Sequence, residues 1–428
     1  MAVQLHPIST DRFNLKKNNA MAISISSKLH YGYVIIFCCC LIMGVNIGLV
    51  MSCAGIFYKP VSSALGVSVG DFGLYMTFIY FFSILMLSVA GKLMDKYSAR
   101  WLLTLSSAVL GLVFLSMSVF NAIWQFYLAG AVIGLALAFL LYLSYPTMVN
   151  RWFNSNVGFF IGICSAASGI GGVIFNPFGG YLIATYGWRA TYLIFGMIVL
   201  FVVTPLLALL LRNYPVEKGL TAFGEKQAET IKSGVDYKVA IKSPAFYALI
   251  VFAFLMISVS TLNLFLPNYI TSVGYSVEQS AIVASVIMLG VTTGKVALGW
   301  INDRNALLGV VASIGLGITG FVCLLLGTSQ IAIMTVGGFL FGWAYAGVTV
   351  ETALLVRTIF GSKDYAKIFS NISIALAAGG ALMSGGWGYL ADFVDFKFIL
   401  SVAIGLLVAS GIIGFYVIRI SPKNIHNI

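Results

Sequence analysis

Gly91-Lys92-Leu93-Met94-Asp95-Lys96 and Gly299-Trp300-Ile301-Asn302-Asp303-Arg304 read alike. Each opens on glycine after an apolar run, carries an aspartate four residues on and ends on a base. They stand 208 residues apart. Three further pairs keep that spacing: Gly66-Val67-Ser68-Val69 with Gly274-Tyr275-Ser276-Val277, Gly171-Gly172 with Gly379-Gly380, and Gly180-Tyr181-Leu182 with Gly388-Tyr389-Leu390. One such match carries little weight. Four at one offset mark a duplicated unit, and parallel repeats with a binding site between them are a membrane-carrier design.

Composition says what surrounds the duplicated unit. Of 428 residues, 60% are hydrophobic and 9% charged, against about a quarter charged in a soluble domain. Mean hydropathy is +1.00. Such a chain has too little polar surface for water, so lipid is its solvent. A helix crosses the hydrocarbon with about 20 apolar residues. Twelve stretches qualify: 33–58, 72–91, 102–120, 126–149, 158–182, 190–211, 246–269, 279–300, 307–326, 331–355, 368–390 and 396–418. The expected class is an all-α polytopic membrane protein with 12 transmembrane helices in two six-helix repeats. Its expected divisions are a cytoplasmic tail (1–32), a first bundle (33–211), a cytoplasmic linker (212–245), a second bundle (246–418) and a short cytoplasmic tail (419–428). The linker is rich in turn formers and mixed charge, with Pro215, Gly219, Gly224 and Gly234 among its lysines and acids.

The formal net charge is +11. With the N-terminus inside, 20 of the 24 basic residues fall in inner segments, and Lys59, Arg189 and Lys397 in outer ones. This alternation predicts cytoplasmic termini in a plasma (inner) membrane. It also removes nucleic acid as a partner, because the bases are scattered through short loops. The six cysteines (Cys38, Cys39, Cys40, Cys53, Cys164 and Cys323) sit in apolar stretches and read as small fillers. His6, His30 and His426 lie near the termini, which argues against an intramembrane histidine relay. No metal-ligand spacing, phosphate-binding glycine loop or nucleophile–base set is legible. Neither catalytic residues nor a cofactor nor a metal is expected, and the protein is not read as an enzyme. The first apolar stretch is too long for a cleavable signal, and Met21 offers a second start.

Residues Gly91 to Arg100 resemble the signature loop between helices two and three of the major facilitator superfamily: Gly, any, Leu, any, Asp, basic, aromatic, Gly, any, basic. Ser98 stands where glycine is usual. Gly172 to Gly180 with Asn176-Pro177, and Gly187-Trp188-Arg189, are similar to that superfamily's helix-five and helix-six patterns. The resemblance implies the major facilitator fold, usually complete as a monomer, working by alternating access. It implies gating roles for Gly91, Asp95, Lys96 and Arg100, and for the weaker copy Gly299, Asp303 and Arg304. Three features resemble the branch of monocarboxylate porters and oxalate/formate antiporters. They are Gly55-Ile56-Phe57-Tyr58-Lys59-Pro60, Asn150-Arg151-Trp152-Phe153 with Gly158 and Gly162, and Gly294-Lys295. That branch has an arginine thought to bind the carboxylate where this chain has Lys295, and the oxalate/formate lysine of helix eleven is missing here.

An ionisable group inside a membrane span usually faces a cavity or a partner. Lys295 and Glu351 are the two clear cases, and their repeat positions hold Leu87 and Leu143. The expectation is that Lys295 binds an anionic substrate, that Glu351 attracts it in the empty state, and that protonating Glu351 frees it. The plainer alternative is a structural pair, or side chains that snorkel to the interface. Further path-lining candidates are Asn46, Asn263, Tyr142, Tyr145, Ser165, Ser168, Trp343, Tyr345 and Asn371. The expected function is secondary transport of a small organic anion, a monocarboxylate by preference, through proton symport or anion exchange. A carrier of neutral or cationic solutes, and a transporter-like receptor, are the alternatives.

Overall fold

The computed structural model describes residues 30–224, 234–361 and 363–420. The remainder of both expected tails, the middle of the linker and the side chains of Asp95 and Asp303 lie outside it. The first bundle begins with α1, built from Gly32–Leu41, a wider π-helical Ile42–Ser52 and Gly55–Leu65. Next come α2 (Val69–Lys96), α3 (Ala99–Met117) and α4 (Ile123–Leu137, Ala138–Leu143 and Ser144–Trp152). A run from Val157 to Leu210 breaks at Gly187, whose φ of +79° is left-handed. Residues 157–186 are therefore α5 and 188–210 are α6. The second bundle has α7 (Pro244–Ser260, a 3₁₀ turn Thr261–Leu264 and Leu266–Ser272), α8 (Val277–Arg304) and α9 (Ala306–Leu326). It ends with α10 (Ile331–Phe360), α11 (Tyr365–Phe393) and α12 (Phe396–Arg419). Eleven stretches among the described residues are long and apolar enough to span a membrane. Dividing the one that holds Gly187 gives the twelve spans expected.

The duplicated sequence builds duplicated local structure. Ser68 and Ser276 each cap a helix. The Ser68 hydroxyl accepts the Asp71 N–H at 2.9 Å and that of Ser276 accepts the Gln279 N–H at 3.2 Å. The side chains of Asp71 and Gln279 accept the serine N–H in return, closing a capping box at both sites. Two residues earlier, Gly66 and Gly274 take positive φ, where a Cβ would be strained. Small residues then let helices touch. Gly48 of α1 approaches the backbone of Gly171 in α5, and Gly171 lies against the carbonyl of Gly44. With no hydrophobic driving force between helices in lipid, such close contact is what holds them.

The halves meet through α5 on α8 and α2 on α11, and the two contacts repeat the 208-residue symmetry. Gly180 packs against Ala281 and the Glu278 backbone, and its copy Gly388 packs against Gly70. The Ser285 hydroxyl donates to the Val173 carbonyl at 2.7 Å, and its copy Thr77 donates to the Ala381 carbonyl at 2.7 Å. Proline explains the first bond. Pro177 lacks an N–H, so the Val173 carbonyl four residues back loses its helix partner, and Ser285 of the other half supplies one. At α11 the equivalent position is Gly385, which keeps its N–H.

The loops after α2, α4, α8 and α10 carry Lys96, Arg151, Arg304 and Lys363 and define a basic face; the opposite face is called the far face below. The bonds between the halves at Gly70, Asp71, Thr77 and Ser285 lie nearer the far face, and one at Lys295 lies on the basic side of the middle. On the basic face the linker ties to each half at matching points. Phe223 forms an isolated bridge to Phe153, and Gly234 one to Gly361, which is the repeat position of Phe153. Lys363 and Asp236 add an exposed ion pair of 2.7 Å, a kind of contact worth little on its own.

The proline makes the two symmetric bonds unequal. Ser285→Ala strands a carbonyl with no other donor, at a cost of about 1–3 kcal/mol. Thr77→Val leaves Ala381 its own helix donor and costs less. Melting of the detergent-purified variants is expected to place Ser285→Ala below Thr77→Val, and equal melting points would refute the role of Pro177.

Candidate functional site

Along the α5–α8 seam, contacts run from the far face inward: Gly180 on Ala281, Val173 with Ser285, Gly172 on Met288, Gly169 beside Thr292. The last is Lys295, whose Nζ donates to the Ser165 carbonyl at 3.3 Å across the halves. On the α2–α11 seam Gly380 lies against the Tyr80 ring, the copy of Gly172 on Met288. Beyond these points Gly158 and Gly162 of α5 and Gly299 of α8 have no neighbour within 4 Å of a Cβ, and the two halves part toward the basic face. Lys295 therefore stands at the floor of a space open on that face, half-buried rather than sealed.

The walls of this space are hydroxyl-bearing rings. Tyr80 of α2, which lies against Gly380, has Tyr142 of α4 and Tyr345 of α10 as neighbours. Tyr145, one turn from Tyr142, sits beside Ser165. Trp343 packs against Gly294, the residue before Lys295, and its shielded indole N–H has no partner. One cation and several hydroxyl donors from both halves converge here. That set suits a small solute with oxygen acceptors. Tyr80 carries no positional signal in the sequence, since its span is rich in aromatic residues.

The other expected path residues lie elsewhere. Asn46 is fully buried, and its Nδ2 donates to Ser107 Oγ at 3.0 Å. Thr204 donates to the same oxygen, so the three residues tie α1, α3 and α6 together inside the first bundle. Asn263 lies in the 3₁₀ break of α7, where Gly55 of α1 crosses it. Asn371 donates to the Tyr237 hydroxyl at 3.1 Å and to the Lys367 carbonyl at 2.9 Å, which anchors the linker at the basic face. Ser168 spends its hydroxyl on the Ser165 carbonyl.

The attraction expected between Lys295 and Glu351 is not the arrangement found. Glu351 is fully buried in the second bundle and accepts Asn302 Nδ2 at 2.8 Å, within its own half. Lys295 reaches across to the first half instead. Asn302, which meets Glu351, lies seven residues beyond Lys295 along α8, and a list of charges cannot show it.

The signature loop holds the first bundle's corner. Arg100 donates through Nε to the Ala208 carbonyl at 2.9 Å, at the C-terminal end of α6 where a cation is favoured. Ser98 caps α3 with φ −63°, a conformation any residue adopts, and Asn213 donates to its hydroxyl at 2.9 Å. The serine in place of glycine thus gains a tie to the start of the linker. Lys96 lies over Tyr97, and Arg304 stacks on Trp300 at 3.6 Å. Gly91 and Gly299 face open space.

Twelve apolar helices in two related halves, with a polar space between them open on one face, define a multi-pass membrane transporter. The Major Facilitator Superfamily pattern matches residues 36–312. The chain belongs to that superfamily, and it is a transporter rather than an enzyme. It is 26% identical over 191 residues to monocarboxylate transporter 12 of Rattus norvegicus, covering 39% of each chain. To monocarboxylate transporter 12 of Homo sapiens it is 28% identical over 193 residues, covering 39% of this chain and 37% of that one. The matched segment thus spans about two fifths of those relatives. Among solved structures, it resembles a bacterial homologue of the human lysosomal transporter Spinster in an inward-facing, unoccupied conformation. That match has a TM-score of 0.68 at 17% identity and covers 92% of this chain and 98% of that one. The nucleoside transporter NupG matches with a TM-score of 0.70 at 13% identity, covering 91% and 99%. These likenesses establish the fold and leave the solute to the site.

Asn46 is expected to act on stability. Asn46→Ala removes the link between α1 and α3 and costs about 1–3 kcal/mol, read as a lower melting point of the purified protein. Normal melting with weakened solute binding would instead move Asn46 to the path.

Proposed function

We propose that the chain carries a small organic anion, a monocarboxylate by preference, and that Lys295 receives its carboxylate. The observation that carries this is the Lys295 ammonium at the floor of the open space, with its bond to Ser165 O as the last one between α5 and α8 among the described residues. The partial likeness to monocarboxylate transporter 12 supports the same class. Lysine presents a compact charge rather than a bidentate fork, which favours small carboxylates over a fixed planar clamp.

The site also suggests how solute and motion are linked. Lys295 has donors to spend on either the Ser165 carbonyl or a bound carboxylate. An arriving anion competes for them and loosens the inner end of the α5–α8 seam. The far-face bonds of Ser285 and Thr77 then decide whether the seam opens. Positive-inside charge favours a cytoplasmic basic face, and on that reading the described state is open inward. Alternating access follows when the two seams exchange which end is closed. Proton symport and anion exchange both fit this cycle, in a plasma (inner) membrane and with a single chain sufficient.

Uptake of a panel of labelled monocarboxylates, set against cationic dyes, tests the class. Lys295→Gln is expected to abolish carboxylate uptake while the protein still reaches the membrane. Lys295→Arg should keep part of it. Unchanged kinetics in Lys295→Gln, or transport of dyes alone, would overturn the reading.

A further inference from the structure

Glu351 and its neighbour present an unusual set of unspent atoms. Glu351 Oε1 accepts from Asn302 Nδ2, but Oε2 is shielded from solvent and has no partner. Asn302 spends both amide hydrogens, one on Glu351 and one on the Leu298 carbonyl at 2.8 Å. The carbonyl demands a donor, so it fixes which way the amide points. Asn302 Oδ1 is then also shielded and without a partner. Two bonded side chains each keep one orphan acceptor.

The surroundings offer no charge to offset a carboxylate. On α9, Gly309 lies where any Cβ would strike the Asn302 amide, and Ser313 spends its hydroxyl on Val310 O. Met256 of α7 and Gly347 of α10 close the site with apolar contacts. The described cations on these elements are engaged or distant. Lys295 bonds Ser165, Arg304 stacks on Trp300, and Arg357 is exposed six residues beyond Glu351. Asp303, next to Asn302, has its side chain outside the described residues. Neither α7 nor α9 contains an acidic or basic residue.

A buried carboxylate without a cation is costly, and so is a buried acceptor without a donor. One proton removes both faults. On Glu351 Oε2 it neutralises the acid and provides the donor that Asn302 Oδ1 lacks, closing an acid–amide ring of two hydrogen bonds. We infer that Glu351 and Asn302 form a proton-binding site inside the second bundle, in which the glutamic acid is held neutral against the amide. The glycine at 309 makes room for it. Asn302 lies two helical turns from Lys295 on α8, roughly 10 Å along the axis. Resting on the carrier reading above, the bound proton fastens to α10 the helix that holds the solute cation, and its release frees that helix to move.

Difference infrared spectra of the purified full-length protein at neutral pH test the proton directly. The carbonyl stretch of a protonated carboxylic acid is expected in the wild type, absent in Glu351→Gln and shifted in Asn302→Leu, which lacks the amide partner. If Glu351→Gln instead removes an ionised-carboxylate band, the site is overturned. Should Glu351→Gln fail to fold, the band shift in Asn302→Leu decides alone, and an unshifted band overturns the pairing. In proteoliposomes, Glu351→Gln is expected to lose uptake of labelled lactate driven by a pH gradient while keeping exchange at equal pH. Gradient-driven uptake that survives would overturn the coupling. If no form of the protein moves a carboxylate, the carrier reading fails and the infrared result still decides the proton site.

Discussion

A hydroxyl from the second helix of one half, given to a carbonyl in the fifth helix of the other, is the contact on which the described state depends. It occurs twice, as Ser285 with Val173 and Thr77 with Ala381. Both bonds lie on the far-face side of the solute space, and the glycine contacts beyond them bring the backbones close enough for the bonds to form. Because a lipid-facing bundle gains little from hydrophobic burial between helices, closure at this face rests on such packing and on a few hydrogen bonds. A closed far face and parted helices at the basic face are two consequences of one arrangement.

Symmetry and function divide the molecule. The capping boxes at Ser68 and Ser276, the positive-φ glycines at 66 and 274, and the paired seam bonds are copies of each other. They do mechanical work that both halves need equally. Lys295, Glu351 and Asn302 have Leu87, Leu143 and Met94 at their repeat positions. These side chains thus belong to the second half alone, while the first half contributes a backbone carbonyl at Ser165, the partner of Lys295, and the rings of Tyr80 and Tyr142. A solute binding between the halves would meet two chemically different walls.

Most of the architecture was legible in the chain. Twelve apolar runs, the 208-residue offset and the alternation of basic loops are properties of spacing, and lipid leaves few ways to satisfy a backbone other than by helices. Gly187 belongs to the segment that resembles a helix-six pattern, and it is where the continuous run from α5 to α6 turns. The site was legible only in part. Lys295 and the tyrosines at 142 and 345 gather at one space, whereas Asn46 and Asn371 serve the first bundle and the linker anchor. A polar residue in an apolar span announces that it needs a partner. It does not announce which face of its helix it occupies or which helix faces it.

By itself, then, the sequence determined the number of spans, their duplication and the rarity of charge within the membrane. Those depend on local chemistry and on distances along the chain. Only the tertiary structure decided that Lys295 reaches across to Ser165 while Glu351 turns inward to Asn302, and that Pro177 hands the Val173 carbonyl to Ser285. These pairings join residues between 49 and 130 positions apart. The rotation of each helix about its own axis sets them, and that rotation is fixed by where glycines allow backbones to touch.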